Sequence, residues 1–106
     1  MKILHLNLKK EYFDAIKSGE KKFEYREYNA YWTKRLCQVH YDEVHFKCGY
    51  PKKDDHEKII IRKYTGYVLR DIRHKHFGNE NTSNPQIKVF AIFTTGQDDI
   101  INGRLG

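Results

Sequence analysis

The sequence has no long apolar run and little cysteine. No apolar stretch approaches the roughly 20 residues that a transmembrane helix requires. The first residues, MKILHLNLKKEYF, carry charge on both sides of a broken apolar segment, which is unlike a signal peptide. We therefore predict no membrane segment and a cytoplasmic location. Cys37 and Cys48 are then expected to be free thiols, because reducing compartments disfavour disulfides.

Proline is scarce as well, with only two residues, whereas 39% of the chain is hydrophobic and 14% aromatic. Disordered chains are typically poor in aromatic and β-branched residues, so this composition indicates a folded protein. A length of 106 residues suits one domain. We predict a single domain over residues 1–96, followed by a flexible tail over residues 97–106.

Acidic residues are outnumbered by basic ones. Twenty Lys and Arg stand against fourteen Asp and Glu, for a formal net charge of +6. A surplus of this size favours anionic partners, so RNA, DNA and an acidic lipid surface are the candidates. The sequence also lacks a glycine-rich phosphate loop, a defensible Ser/His/Asp arrangement and paired carboxylates for glycoside chemistry.

Hydrophobic periodicity organises the first half of the chain. Leu4, Leu6 and Leu8 alternate with other residues, which is typical of a strand. A helical pattern follows and ends at Gly19, a residue type that often terminates helices in the left-handed conformation. Asn29 is placed to cap a second helix. The predicted elements are strands over residues 2–8 and 22–26 and helices over residues 11–18 and 30–36.

The second half of the chain is dominated by strand patterns. Val44, Phe46 and Cys48 alternate on one face of a strand over residues 42–48. The segment 58–72 is rich in β-formers but too long for one strand, so Gly66 is expected to mark a bulge, bend or hairpin. A polar loop over residues 78–86 and an apolar strand over residues 87–95 follow. Five to six strands and two short N-terminal helices predict an α+β fold with a small, strongly curved barrel.

The stretch after Gly19 concentrates charge on one strand. Lys22, Glu24 and Arg26 alternate, so they share a face. One interpretation is a solvated face with a surface ion pair that contributes little. The other is a cleft wall in which Glu24 orients Arg26 to bind phosphate or a base edge. Lys21 would lie at the mouth of this cleft. Its ammonium group could neutralise a phosphate, or its amine could act as nucleophile or base if its pKa were lowered.

The second predicted helix mixes aromatic and basic residues. Tyr28, Trp32 and Leu36 are four apart, and this spacing favours Trp32 as a core residue over a stacking platform. Basic side chains interleaved with rings suit single strands, because charges follow the backbone and rings stack on bases. The competing interpretation is that these residues form a solvent-exposed helix face without a ligand. The ligand candidates on the other side of this helix are Tyr31, Lys34 and Arg35.

Four potential zinc ligands lie within twelve residues, as Cys37-x-x-His40 and His45-x-x-Cys48. Residues three apart on a strand point to opposite faces, so His45 and Cys48 should diverge. We therefore predict no metal site and no cofactor. A second basic cluster is interpreted as a solvated segment or a phosphate-facing rim, and it comprises Arg70, Arg73, His74, Lys75 and His76.

Several motifs in this order resemble the ASCH domain, a small PUA-like β-barrel. The resemblance runs over most of residues 2–96 and rests on EYFDAIKSGEKKFEYR with its Gly19-x-Lys21, Glu24 and Arg26, on YWTKRL, on YDEVHFKCGY and on the closing VFAIFTTG. It implies a PUA-like barrel with a cleft beside the helix that ends at Gly19, where the family is proposed to bind RNA.

Some small relatives in that family resemble enzymes that hydrolyse N4-acetylcytidine or cut single-stranded RNA. In the acetylcytidine hydrolases the lysine of Gly-x-Lys is catalytic and works with a threonine three residues later. Here Lys21 matches, but Glu24 occupies the threonine position.

Three functional hypotheses follow. The first is an RNA-binding module for single-stranded or modified RNA, or a nucleotide-like ligand, that uses Lys21, Lys22, Arg26, Tyr31, Lys34 and Arg35. The second is a small ribonuclease or amidohydrolase that uses Lys21 and Glu24 as catalytic residues. The third is a module whose basic surface binds an acidic protein.

Overall fold

The computed structural model describes residues 1–73 and 86–95, which form six strands, two α-helices and one short 3-10 turn. In chain order the elements are β1 (Ile3–Leu8), α1 (Lys10–Ser18), β2 (Phe23–Glu27), α2 (Ala30–Leu36), β3 (Glu43–Cys48), the 3-10 turn (His56–Lys58), β4 (Ile59–Lys63), β5 (Tyr67–Arg73) and β6 (Gln86–Phe93). The predicted polar loop and tail lie outside the described residues, apart from Gln86, which begins β6.

The strands form two open sheets, so the prediction of a PUA-like β-barrel is wrong. Each sheet has three strands, in the order β1-β3-β4 and β2-β6-β5, and no closed barrel is found in the described part of the chain. Gly66, with φ of 101°, lies in the connection between β4, which ends at Lys63 in the first sheet, and β5, which begins at Tyr67 in the second. The predicted break in residues 58–72 is confirmed, but it separates two sheets and does not curve one sheet into a barrel.

The described residues divide into two compact units. The first comprises residues 1–22, 40–65 and 93–95, and the second comprises residues 23–39, 66–73 and 86–92. Among the helices of these residues, none has the length and apolar character needed to cross a bilayer.

The first unit is built on a mixed sheet. β1 pairs in parallel with β3, in a register that sets Leu6 beside Phe46, and β3 pairs antiparallel with β4. Helix α1 packs on β3, with Phe13 and Ile16 buried. Alternation along β1 and β3 therefore sends one set of side chains into the core, as the sequence predicts. The buried apolar residues of this unit are Leu4, Leu6, Leu8, Phe13, Ile16, Val44, Phe46 and Ile60.

Helix α1 ends as its sequence predicts. Gly19 adopts the left-handed conformation with φ of 87°, and its N–H donates to Ile16 O at 3.1 Å. Glycine has no Cβ, so it reaches this conformation without the steric cost that other residues meet. Glu11 in the first turn and Lys17 in the last also suit the helix dipole.

The second unit places β6 at the centre of its sheet. β6 pairs antiparallel with β5, and Val89, Phe90, Ala91 and Ile92 are all fully buried. This burial confirms the prediction of a strand covered on both faces. Helix α2 begins at its predicted cap, because the Asn29 Oδ1 accepts from the Trp32 N–H at 2.9 Å.

Candidate nucleic-acid interface

The backbone of Lys21 is anchored in the first unit. Its N–H donates to Ala15 O at 3.0 Å, and its carbonyl accepts from the Thr94 Oγ1 at 2.8 Å. The Thr94 N–H in turn donates to Lys22 O at 3.1 Å, and Thr94 itself is buried. The Lys21 Nζ lies 5.4 Å from the centre of the Tyr12 ring, so an aromatic face holds its ammonium group. Lys22 is exposed.

Glu24 and Arg26 form a largely buried ion pair in the second unit. The Arg26 Nη2 lies 2.8 Å from the Glu24 Oε2, and their side chains are 20% and 9% exposed, respectively. The interpretation of Glu24 and Arg26 as a solvated surface pair is therefore wrong, although Lys22 on the same face is exposed. Phe23 and Tyr25, on the opposite face of β2, are only partly buried. Burying this carboxylate requires a charged partner, and Arg26 supplies it.

Arg26 of this ion pair also contacts the tryptophan of α2. The Arg26 guanidinium carbon lies 5.2 Å from the centre of the Trp32 ring. The predicted core stripe is only partly correct, because Leu36 is buried whereas Trp32 is half-buried and Tyr28 is exposed. Trp32 thus supports a charged group instead of filling the core.

Tyr31 and Arg35 meet on the exposed side of α2. They stand four residues apart, and the Arg35 guanidinium carbon lies 3.5 Å from the centre of the Tyr31 ring. The Tyr31 ring also makes an edge contact with Trp32, with centres 5.1 Å apart. Arg35 and Lys34 are exposed, as predicted. The side chains of α2 therefore present stacked rings and cations to solvent.

Two more cations of this unit lie over aromatic rings. The Arg70 guanidinium is 4.4 Å from the Phe23 ring centre, and the Lys88 Nζ is 5.3 Å from the Tyr28 ring centre. Arg70 belongs to the second basic cluster predicted from sequence, whose residues 74–76 lie outside the described part. Stacked cations and rings are thus a repeated feature of the second unit.

The structure thus joins some of the predicted site residues in one series of contacts. Glu24, Arg26, Trp32, Tyr31 and Arg35 follow one another by ion pair, cation–π and ring contacts. Lys34 lies beside Arg35 on the same helix. Lys21 and Lys22 belong to the first unit. Cations held against rings are suited to following a phosphate backbone while presenting π faces to bases.

The predicted divergence of His45 from Cys48 is confirmed. Val44 and Phe46 are fully buried on the face that Cys48 shares, whereas His45 lies on the other face of β3. Cys37 lies 3.2 Å from the Tyr67 hydroxyl, and this hydrogen bond, with burial, raises the pKa of Tyr67 above 10.0. Within residues 1–73 and 86–95, no group of three or more His, Cys, Asp or Glu side chains could hold a metal ion.

The strand pairing of the first unit creates a histidine pair that the sequence pattern does not predict. His5 and His45 are register partners on β1 and β3, their ring centres are 5.3 Å apart, and the His45 Nε2 lies 3.0 Å from the Glu43 Oε1. Partial burial, Lys47 and His45 together lower the pKa of His5 below 6.5. Alternation placed these residues on one face of each strand, but only the parallel register brings them together.

We expect stability to fall as the pH drops below about 6.5. The unfolded chain has the higher His5 pKa, so protonation favours unfolding. The stabilisation is present above the unfolded pKa and is lost as pH falls through the lower folded-state pKa. The effect should be small, because His5 is only slightly buried and solvent screens its charge. Urea midpoints of wild type, His5→Asn and the exposed control His56→Asn would measure it. If the urea midpoint of His5→Asn depended on pH in the same way as that of wild type, the contribution of His5 would be contradicted.

The first unit also carries an open cleft at the start of α1. Its volume is about 410 Å³, and the Asn7 Nδ2 donates to Gly49 O at 2.6 Å at its wall. Tyr50 is almost fully exposed at the rim. The lining residues are Asn7, Leu8, Lys9, Lys10, Cys48, Gly49 and Tyr50.

No protein-family model, curated protein or solved structure matches this chain.

Proposed function

We propose that this protein binds single-stranded RNA through the cationic and aromatic surface of its second unit. The observation that carries the proposal is the connected series of charges and rings on β2 and α2. Tyr31, Lys34 and Arg35 are its exposed members, and the less exposed Arg26 contacts Glu24 and Trp32. The basic net charge of +6 suits a polyanionic partner.

Unpaired nucleotides suit this surface better than a duplex. Bases in a duplex are stacked on each other, so their faces are not accessible to protein rings. Single strands offer free base faces, and stacking on aromatic side chains contributes about 1–3 kcal/mol per base. The resemblance to the ASCH family, carried by Gly19-x-Lys21, Glu24 and Arg26, favours RNA as the nucleic acid. Family membership is itself part of the proposal.

The proposal predicts salt-sensitive binding with a defined contribution from Lys34. Neutralising a phosphate releases counterions, so the logarithm of affinity should fall linearly with the logarithm of salt concentration. We expect Lys34→Ala to weaken binding roughly three- to fivefold and to reduce the slope by about 0.7, the value for one contact to a single strand. Fluorescence anisotropy with an end-labelled single-stranded RNA over a salt series would measure both quantities.

The matched control is Lys17→Ala, which removes the same charge from the exposed last turn of α1. It should change affinity less than Lys34→Ala. Equal effects of the two substitutions would mean that only net charge matters and would contradict a site on α2. Absence of salt-dependent binding by the wild type would reject the RNA-binding proposal itself.

The hydrolase alternative keeps one supporting observation, which is the anchored backbone of Lys21. An enzyme needs its catalytic group held in place, and at the backbone the Lys21 N–H donates to Ala15 O while the Lys21 carbonyl accepts from the Thr94 Oγ1. Glu24 fits this role less well, because its carboxylate is buried and paired with Arg26. Denaturing gels of labelled RNA with wild type and Lys21→Ala would decide between the functions. Shortened RNA that requires Lys21 would identify a ribonuclease, whereas intact but retarded RNA would support binding.

A further inference from the structure

We infer that Tyr31 and Arg35 together form a platform on which one unpaired base stacks. This inference rests on the proposed function and specifies which part of the RNA the exposed side of α2 recognises. Tyr31 is 54% exposed, and Arg35 is exposed beside it. The platform would therefore be accessible to a base from solution.

The geometry is that of a stacked pair. A guanidinium carbon 3.5 Å from a ring centre is at van der Waals contact distance, which places the cation directly over the ring. The i,i+4 spacing on α2 produces this contact, because such residues are neighbours on a helix surface. Trp32 meets Tyr31 at an interplanar angle of 79°, so its ring supports Tyr31 from the side. Both neighbours limit the freedom of the Tyr31 ring.

Base recognition follows from the shape of arginine. The guanidinium group is planar, weakly hydrated and able to stack on π systems, whereas a lysine ammonium is a strongly hydrated point charge. Once Tyr31 covers one face of the Arg35 plane, a base can stack on the other face or against the exposed part of the Tyr31 ring. Lys34, one residue away, has the same charge without the plane. The two residues are therefore expected to differ in what they recognise.

The test compares an oligonucleotide with an abasic version of the same length and charge. We expect wild type to bind the base-containing single strand roughly 5- to 140-fold more tightly than the abasic strand. Arg35→Lys keeps the positive charge, so it should weaken binding of the abasic strand much less than binding of the base-containing strand and thereby lose most of this ratio. Tyr31→Ala should lose most of it as well. Lys34→Ala should weaken both complexes to the same extent and leave the ratio unchanged.

Trp32 provides a second readout, because it is the only tryptophan of the sequence and contacts Tyr31. Base-containing RNA should change its fluorescence in wild type, and the abasic strand should change it less. Far-ultraviolet circular dichroism of each variant would establish that it is folded.

The outcomes separate the two proposals. If wild type binds both strands with equal affinity, RNA binding stands and the base platform is rejected. If Arg35→Lys keeps the full wild-type ratio, the planar group is not responsible and the inference is overturned. If wild type binds neither strand, the proposed function fails and this inference fails with it.

Discussion

Replacing Phe90 with alanine is expected to lower the free energy of unfolding by about 3–5 kcal/mol, the usual effect of truncating a buried phenylalanine. Phe90 is fully buried on the central strand β6. Its ring lies 5.2 Å from the Tyr28 ring and 4.9 Å from the Tyr67 ring, between centres. The substitution would remove apolar contacts and leave a cavity that its neighbours fill only partly. Urea unfolding followed by circular dichroism would measure the change.

Two further substitutions serve as references for the loss of stability expected in Phe90→Ala. Phe90→Leu keeps most of the apolar volume, so it should cost less, about 1.5 kcal/mol. Tyr31→Ala removes an aromatic ring from the surface of the same unit and should cost about 0.5 kcal/mol or less. A Phe90→Ala variant that unfolds at the same urea concentration as Tyr31→Ala would show that Phe90 does not support the second sheet.

The second large effect is expected from Glu24→Gln. This change keeps the size of the side chain but removes the charge that balances Arg26 at 2.8 Å. Breaking a fully buried pair by removing one charge costs about 3–5 kcal/mol. Because Arg26 is partly exposed, we expect a smaller loss of stability, of about 2 kcal/mol. Under the proposed function, RNA affinity should also fall, since Arg26 would lose the carboxylate that orients it beside Trp32.

Glu27→Gln is the matched control, because Glu27 lies on the same strand, is exposed and loses the same charge. Its stability should stay within about 0.5 kcal/mol of wild type. A double-mutant cycle of Glu24→Gln and Arg26→Gln would isolate the energy of the pair. If Glu24→Gln were no more destabilising than Glu27→Gln, the carboxylate would not be structurally important.

Local elements were predictable from the sequence because local rules determine them. The helix that ends at Gly19, the Asn29 cap and the break at Gly66 all follow from backbone preferences of single residues. The apolar strand β6 follows from its continuous hydrophobic run. The arrangement of strands into sheets was not predictable in this way, and the inferred barrel was wrong. A break at Gly66 is compatible both with a bend in one sheet and with strands in two sheets, and only the pairing decides between them.

The candidate site was also only partly predictable from the sequence. Alternation correctly placed Glu24 and Arg26 on one face of β2, but it could not show that this charged face is the more buried one. Amphipathic patterns assume that charges face water, and a compensated ion pair violates that assumption. The Tyr31 and Arg35 contact could be anticipated from their i,i+4 spacing. The His5 and His45 contact could not, because it depends on a register between strands about forty residues apart in sequence.

The parallel pairing of β1 with β3 has a consequence for how the chain acquires its structure. Its register joins Ile3 to Glu43, so the first sheet closes only after the intervening segment, which contains α1, β2 and α2, has been looped out. Such non-local pairing carries a large loop-closure entropy and slows folding relative to helical bundles. The central strand β6 comes last in the described sequence, after both of its partners. On a ribosome, the second sheet can therefore assemble only after residues 86–93 have been synthesised.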